Sequence, residues 1–276
     1  MSLVVHHNVA ARFARMHLER AQVATGGSAE RLSSGERINR AADDTTAYAM
    51  AIRFKSDVNG YDVVRRNSRN GMNLIQAMEG TTEEMIQVLT RMRELSTKSA
   101  TDSMTNNDRI QVQIEYTALQ NELQRLSQTT HMNEVQGLAI SDTMTFQVGL
   151  GGGAANQVVL SLNSMTIAAL SLQAANSDVS TLTAAQTALD QISVALDRLA
   201  TNRSRMGATF RALEASFGLA SADSDALMNT ISVIRDTDYA EESTALAQNQ
   251  IRTQAAVSVL TQANTIPQLA LQLLGG

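Results

Sequence analysis

No cysteine and no tryptophan occur in these 276 residues, and proline occurs once, where ordinary usage would supply roughly 14. The first absence excludes disulfides and thiol catalysis and leaves the redox state of the compartment unread. The near-absence of proline leaves almost nothing to interrupt helices. Aromatic residues make up only 3% of the chain, so a core has to be assembled from Leu, Ile, Val, Met and Ala. That suits a narrow seam between helices better than a thick globular centre or a base-stacking surface. No apolar run approaches the roughly 18 residues that cross a bilayer, so membrane insertion is not expected. The N-terminus, MSLVVHHNVAARFARMHLER, lacks a continuous apolar stretch and a small-residue cleavage site, which predicts no cleaved signal peptide. Acidic residues outnumber basic ones, 27 to 22, for a net charge of −5. Nucleic acid, whose binding draws on clustered Lys and Arg, is therefore not an expected partner. Arg65, Arg66 and Arg69 do cluster, and read as a solvated face or one turned toward another protomer.

What is present is periodicity. Across 182–234 the chain carries Leu182, Ala185, Leu189, Ile192, Leu196, Leu199, Arg203, Met206, Phe210, Leu213, Phe217, Ala220, Ser224, Leu227, Ile231 and Ile234, stepping three and four alternately. A seam repeating every 3.5 residues belongs to a helix lying along other helices as a coiled coil. Unbroken, that helix would reach about 80 Å, against the roughly 50 Å diameter of a compact globule of this length. The expected fold class is therefore mainly α: an elongated antiparallel helical rod.

Shorter ladders stand at both ends. Val9, Phe13, Met16 and Val23, with Arg20 between, form one; Val257, Leu260, Leu271 and Leu274 form the other. Gly26-Gly27 is expected to interrupt the first, and Gly35 to mark a turn. Asp43 and Asp44 offer an N-cap before a helix at 47–54. The long helical reading that follows is expected to break near Gly60 and Gly71, with Met78, Met85, Val88, Met92 and Leu95 along one side. Asn106, Asn107 and Asp108 form a second cap cluster, before Val112, Tyr116, Leu119, Leu123 and Leu126. The period then changes to alternation at Phe146/Val148 and Val158/Leu160/Leu162, predicting a β-hairpin closed by the glycine-rich 149–153. Ser177-Asp178 is expected to cap the long helix.

The ends decide the physics. Ordering a terminal arm costs more backbone entropy than a lone pair of helices recovers by burying its apolar side chains. Both termini are thus expected to be mobile in the monomer and to order when other copies pack around them. Chemistry of other kinds finds little support. His6, His7, His17 and His131 are scattered, GLGGG lacks the Lys-Ser/Thr of a P-loop, and no Gly-x-Ser-x-Gly elbow occurs. No catalytic residues, metal ligands or cofactors are assigned, and the 13 methionines read as core.

Residues 30–53, ERLSSGERINRAADDTTAYAMAIR, and 65–96, RRNSRNGMNLIQAMEGTTEEMIQVLTRMRELS, resemble the N-terminal signature blocks of bacterial flagellin. IRDTDYAEES at 234–243, QIRTQAA at 250–256 and QANTIPQLALQLL at 262–274 resemble its C-terminal signature. Two departures are His131-Met132-Asn133-Glu134 in place of a Phe-Asn-Gly turn, and Phe210-Arg211 in place of Asn-Arg. The resemblance implies the structural subunit of the flagellar filament, in a minimal form without large outer domains, and not an enzyme. It implies an inner coiled-coil domain from residues 1–43 with 236–276, and a helical rod domain at 44–235 with a short β region near 140–176. Polymerisation would use Val9, Phe13, Met16, Val23, Val257, Leu260, Leu271 and Leu274, with hinges at Gly26, Gly27 and Gly35. The partners implied are further copies of the chain, the type III export apparatus, an export chaperone, the filament cap and the hook–filament junction proteins. The location implied is the extracellular filament. Arg91, Leu95 and Glu115 resemble positions read by the vertebrate innate receptor TLR5. The alternative reading is a hook–filament junction protein.

Overall fold

Among the described residues, long apolar periodicities produce five α-helices: α1 (Val9–Ser34), α2 (Thr45–Ser99), α3 (Asn106–Thr129), α4 (Leu182–Arg235) and α5 (Tyr239–Leu274). The computed structural model describes residues 8–129, 131–132, 135–136, 143–174 and 177–274, the side chains at 131–132, 135–136 and 267–274 excepted. Two small antiparallel pairs complete it. β1 (His131–Met132) pairs with β2 (Val135–Gln136), and β3 (Thr143–Gln147) pairs with β4 (Gln157–Ser161). Thr143 lies opposite Ser161 and Gln147 opposite Gln157, which is the hairpin predicted from the alternation. The β1–β2 pair falls where the sequence departs from a Phe-Asn-Gly turn, and the alternation did not announce it.

Glycine did not break the helices. α1 runs through Gly26 and Gly27, and α2 through Gly60 and Gly71. At Gly71 a Cβ would stand 2.9 Å from Leu213 and 3.0 Å from Phe146, so this glycine admits a close neighbour rather than a bend. The expected interruptions are thus corrected: roughly 1 kcal/mol of lost propensity per glycine is small beside the packing of a long helix. Gly35 differs, standing past the end of α1 with φ 72° and donating its N–H to Arg31 O, the left-handed ending that glycine adopts without strain.

The caps were partly displaced. Asp44 Oδ1 accepts from Thr46 N and Ala47 N at 2.9 Å and opens α2. Asp43 instead closes the preceding turn, accepting from Asn39 N and Arg40 N, and these backbone bonds hold its carboxyl below the usual range. For α3 the cap is Thr105, whose hydroxyl accepts from Asp108 N while Asp108 accepts from Thr105 N, a reciprocal pair one residue ahead of the expected cluster. For α4 it is Thr181, accepting from Ala184 N. Ser177 is instead buried against the Tyr116 hydroxyl at 2.7 Å.

The chain divides into two compact units, 57–225 and 1–56 with 226–276. In the unit 57–225, α2 and α4 run antiparallel, with Arg203 paired to Glu79 and Glu83 and Phe217 beneath Arg65 and Arg69. α3 folds back along α2. Buried Arg109 fastens that turn, donating to Ser99 O at the end of α2 and to Thr101 O in the turn that follows. Ile75, Met78, Met85, Leu89, Met92, Tyr116, Leu123, Ile192, Leu199, Met206 and Leu213 form the core, so these methionines are the interior fill expected of them.

On α4 the buried positions are Ala185, Ala188, Ile192, Ala195, Leu199, Asn202, Met206, Thr209, Leu213, Ala220 and Ser224. Half of the apolar ladder is therefore off by one. Leu189, Leu196 and Phe210 are half-buried, and small Ala188, Ala195, Asn202 and Thr209 take the inner places. A helix wedged among several neighbours buries a wider stripe than a two-stranded seam does.

The described residues of 162–174 and 177–181, most of which were expected to lie in the short β region near 140–176, form a strap over this core. Leu162, Met165, Leu170, Leu172 and Val179 are buried beneath it. Asn202 exchanges two hydrogen bonds with the backbone of Asn163, and Gln120 Nε2 donates to Leu172 O and Ser177 O. No helix is long and apolar enough to cross a membrane among the described residues.

Candidate functional site

In the unit 1–56 with 226–276, α1 and α5 lie antiparallel. Asn8 donates to Ala263 O at 2.7 Å, Thr25 meets Thr253 at 3.4 Å, and Arg31 reaches Glu242 at 3.5 Å, so contacts climb one helix as they descend the other. The most deeply buried places that α1 gives the seam are small residues. Ala14, Ala21 and Ser28 are buried at intervals of seven, with Ala11, Leu18, Thr25 and Leu32 half-buried on the rungs between. α5 answers with Glu242, Leu246, Asn249, Thr253, Ala256, Leu260 and Ala263, again stepping four and three. The small side chains at the buried places let the two helices approach closely, with Leu18, Leu32, Leu246 and Leu260 half-buried along the edges.

The bulky residues consequently face away. Val9 is 53% exposed, Phe13 57%, Val23 73% and Val257 47%, and Met16 is exposed too. α1 therefore carries two ladders of the same period on nearly opposite faces, since positions 9, 13, 16 and 23 stand about half a turn from 14, 18, 21 and 25 at 100° per residue. The terminal helices do pair within one chain, but α1 turns Ala14, Leu18, Ala21 and Thr25 toward α5 rather than Val9, Phe13, Met16 and Val23. Of the C-terminal ladder, Leu260 joins the inner seam and Val257 faces out, while Leu271 and Leu274 have side chains outside the described residues. Further along the same helices Ile251, Val259 and Ile266 are also exposed.

The pair is anchored at one end. Glu36 and Asp236 form an antiparallel bridge, Arg37 N donates to Arg235 O at 2.6 Å, and Thr237 N donates to Gly35 O at 2.9 Å. Arg235 then ties the junction together, pairing with Glu36 at 2.5 Å, donating to Ile38 O, and lying over the Tyr48 ring. Gly35 sits within this junction, its absent Cβ leaving room for the Tyr239 hydroxyl. Gly26 and Gly27 sit in mid-helix, with nothing within 4 Å of a Cβ added at either.

The third group, Arg91, Leu95 and Glu115, is brought together in the other unit. Arg91 on α2 pairs with Glu115 on α3 at 2.7 Å and with Glu94 at 2.8 Å. Those hydrogen bonds, Glu115's first, hold its guanidinium protonated more firmly than usual. The pair walls a groove of about 460 Å³, lined also by Lys98, Met104 and Asp108. Leu95 is 3% exposed and forms its floor, so a visitor meets the charged rim first.

Among the described residues no three His, Asp or Glu side chains gather to hold a metal ion. What the chain presents is two helices closed around buried alanines and a serine, with Val9, Phe13, Met16, Val23 and Val257 in water. Its sequence says whose helices these are. The family model for the bacterial flagellin N-terminal helical region matches residues 5–143, and that for the C-terminal helical region matches 189–274. The chain belongs to the bacterial flagellin family.

This flagellin is 33% identical to the flagellin of Halalkalibacterium halodurans over 99% of its length and 100% of that relative's. It is 32% identical to the flagellar filament 30.7 kDa core protein of Treponema maltophilum, covering 99% of the one and 100% of the other. The flagellin of Bacillus subtilis is 30% identical over 98% and 99%. Of solved structures, the crystal structure of Bacillus cereus flagellin is similar with a TM-score of 0.49 and 18% identity, over 56% of this chain and 88% of that one. Family membership rests on the sequence matches. As a flagellin, the protein is a structural subunit of the flagellar filament, a polymer of copies of itself.

The inner seam of Ala14, Ala21 and Ser28 was not picked out from the sequence. Its signal was present in the seven-residue spacing, but a search for large apolar residues passes over alanine and serine.

Proposed function

We propose that copies of this flagellin join through the outward ladder of the terminal helix pair: Val9, Phe13, Met16 and Val23 on α1, with Val257 on α5. The observation that carries this reading is that these side chains lie in water while buried alanines and a serine of α1 close the pair. Burying a large apolar side chain is worth about 1.5–3 kcal/mol, so several left exposed on one helix face are a store of free energy that a neighbouring copy releases. Leu271 and Leu274, whose side chains lie outside the described residues, are assigned to the same polymerisation role. Residues 1–43 with 236–276 are the inner coiled-coil domain of the filament, 44–235 its surrounding rod, and Gly35 the hinge between them. Gly26 and Gly27 loosen the arm for assembly.

The subunit is exported as an unfolded chain through the type III apparatus, escorted by a chaperone. It is then placed beneath the cap, beyond the hook–filament junction proteins. Its role is structural, with no reaction to catalyse and no cofactor to hold. Released monomer presents the Arg91–Glu115 rim and Leu95 floor to host TLR5.

The deciding experiment compares the full chain with one ending at Ala256 by electron microscopy after seeded assembly. Long filaments are expected from the intact chain alone. Equal polymerisation by both would remove the C-terminal arm from the mechanism, and an intact chain that caps seeds without elongating them would be a junction protein instead.

A further inference from the structure

Two guanidiniums share one aromatic ring on the surface of the unit 57–225. Arg65 and Arg69, one turn apart on α2, stand 6.0 Å and 5.1 Å from the ring centroid of Phe217 on α4. Phe217 is half-buried and Arg69 exposed. A single carboxylate serves the two cations, Asp62, at 3.1 Å from Arg65 Nη1. Arg65 Nε is buried with no hydrogen-bond partner, and Arg69 has no ion pair among the described residues. Like charges held one helical turn apart repel, and a ring face compensates them only in part. The site has the flat donor forks, a ring that fixes their planes, and one negative charge too few.

We propose that this Arg65–Arg69–Phe217 platform is a receptor for an aspartate or glutamate side chain of a second copy of the chain in the filament. A guanidinium fork takes a carboxylate in two parallel hydrogen bonds, and stacking on an aromatic face pre-orients the fork, so less side-chain freedom is lost when the anion arrives. Charge complementarity favours the chain's own copies as the source. Acids exceed bases by 27 to 22, and the exposed carboxylates of Glu84, Asp102 and Asp190 have no basic partner among the described residues. Arg66, the third member of the cluster, is exposed and lies over no ring. The contact is electrostatic and lies on a different unit from the terminal helices. It rests on the filament reading but adds to the apolar ladder a term that salt weakens.

The test measures the critical concentration for seeded assembly by sedimentation, across a series of sodium chloride concentrations, for wild type, Arg66→Gln and the double variant Arg65→Gln/Arg69→Gln. Monomer circular dichroism and melting temperature serve as the folding control. The double variant is expected to raise the critical concentration about tenfold at low salt, equivalent to ~1.4 kcal/mol. It should converge on wild type as salt rises, while Arg66→Gln behaves as wild type throughout. A double variant with unchanged critical concentration overturns the proposal and leaves the filament reading standing. So does an increase that is the same at every salt concentration, which would mark lost packing against Phe217. Wild type that fails to assemble at all overturns the filament reading, and this proposal with it.

Discussion

Phe13→Ala separates assembly from folding. The side chain is 57% exposed in the single chain and lies outside the inner seam, so most of its transfer free energy has yet to be collected. Full burial of a phenylalanine is worth up to about 3 kcal/mol, and a little over half of that, ~1.5 kcal/mol, remains for a neighbouring copy to supply. Since each 1.4 kcal/mol is a factor of ten, the variant's critical concentration for seeded assembly should rise about tenfold. Its monomer should melt within a few degrees of wild type, because surface truncations usually cost less than about 0.5 kcal/mol. Sedimentation gives the first quantity and differential scanning calorimetry the second. The opposite pattern would refute the reasoning: a monomer markedly destabilised while folded variant polymerises at the wild-type concentration. It would place Phe13 inside the subunit rather than between subunits.

Four other outcomes follow from the same packing. Ala21→Leu overfills the inner seam and should separate α1 from α5, costing about 1–3 kcal/mol in monomer stability by denaturant unfolding. Gly35→Ala forces a left-handed backbone on a residue that resists it, beside the Tyr239 hydroxyl, and should cost about 1–2 kcal/mol. Gly26→Ala, with open space around it, should stabilise α1 by about 0.5–1 kcal/mol, and slower assembly despite that gain would support a hinge there. Burial raises the Tyr116 pKa, so its neutral form contributes stability in full below the unfolded tyrosine's pKa of about 10. That contribution is lost as pH climbs from there toward the folded value, because only the unfolded chain ionises. Urea midpoints at pH 9 and 11 should therefore fall less steeply for Tyr116→Phe.

Much of the fold was legible because a helix writes its own period. The three-four stepping of α4, the alternation of β3 and β4 and the acidic cap at Asp44 are local features, enforced by backbone geometry within a few residues. Glycine was misjudged at positions 26, 27, 60 and 71 because its cost is local while the packing that overrides it is not. The strap at 162–174 and 177–181 was missed for a related reason. Its hold depends on Asn202, Gln120 and Ser99, far away in the chain.

The amino-acid order by itself determined that this flagellin is built of long helices with heptad seams, and that its ends carry more apolar surface than they can use alone. Which seam closes inward was decided only in three dimensions. Val9, Phe13, Met16 and Val23 share their period with Ala14, Leu18, Ala21 and Thr25, and hydrophobicity ranks the first set higher. Burial follows how closely a partner can approach, and it is the alanines and serine of α1 that let α5 come near.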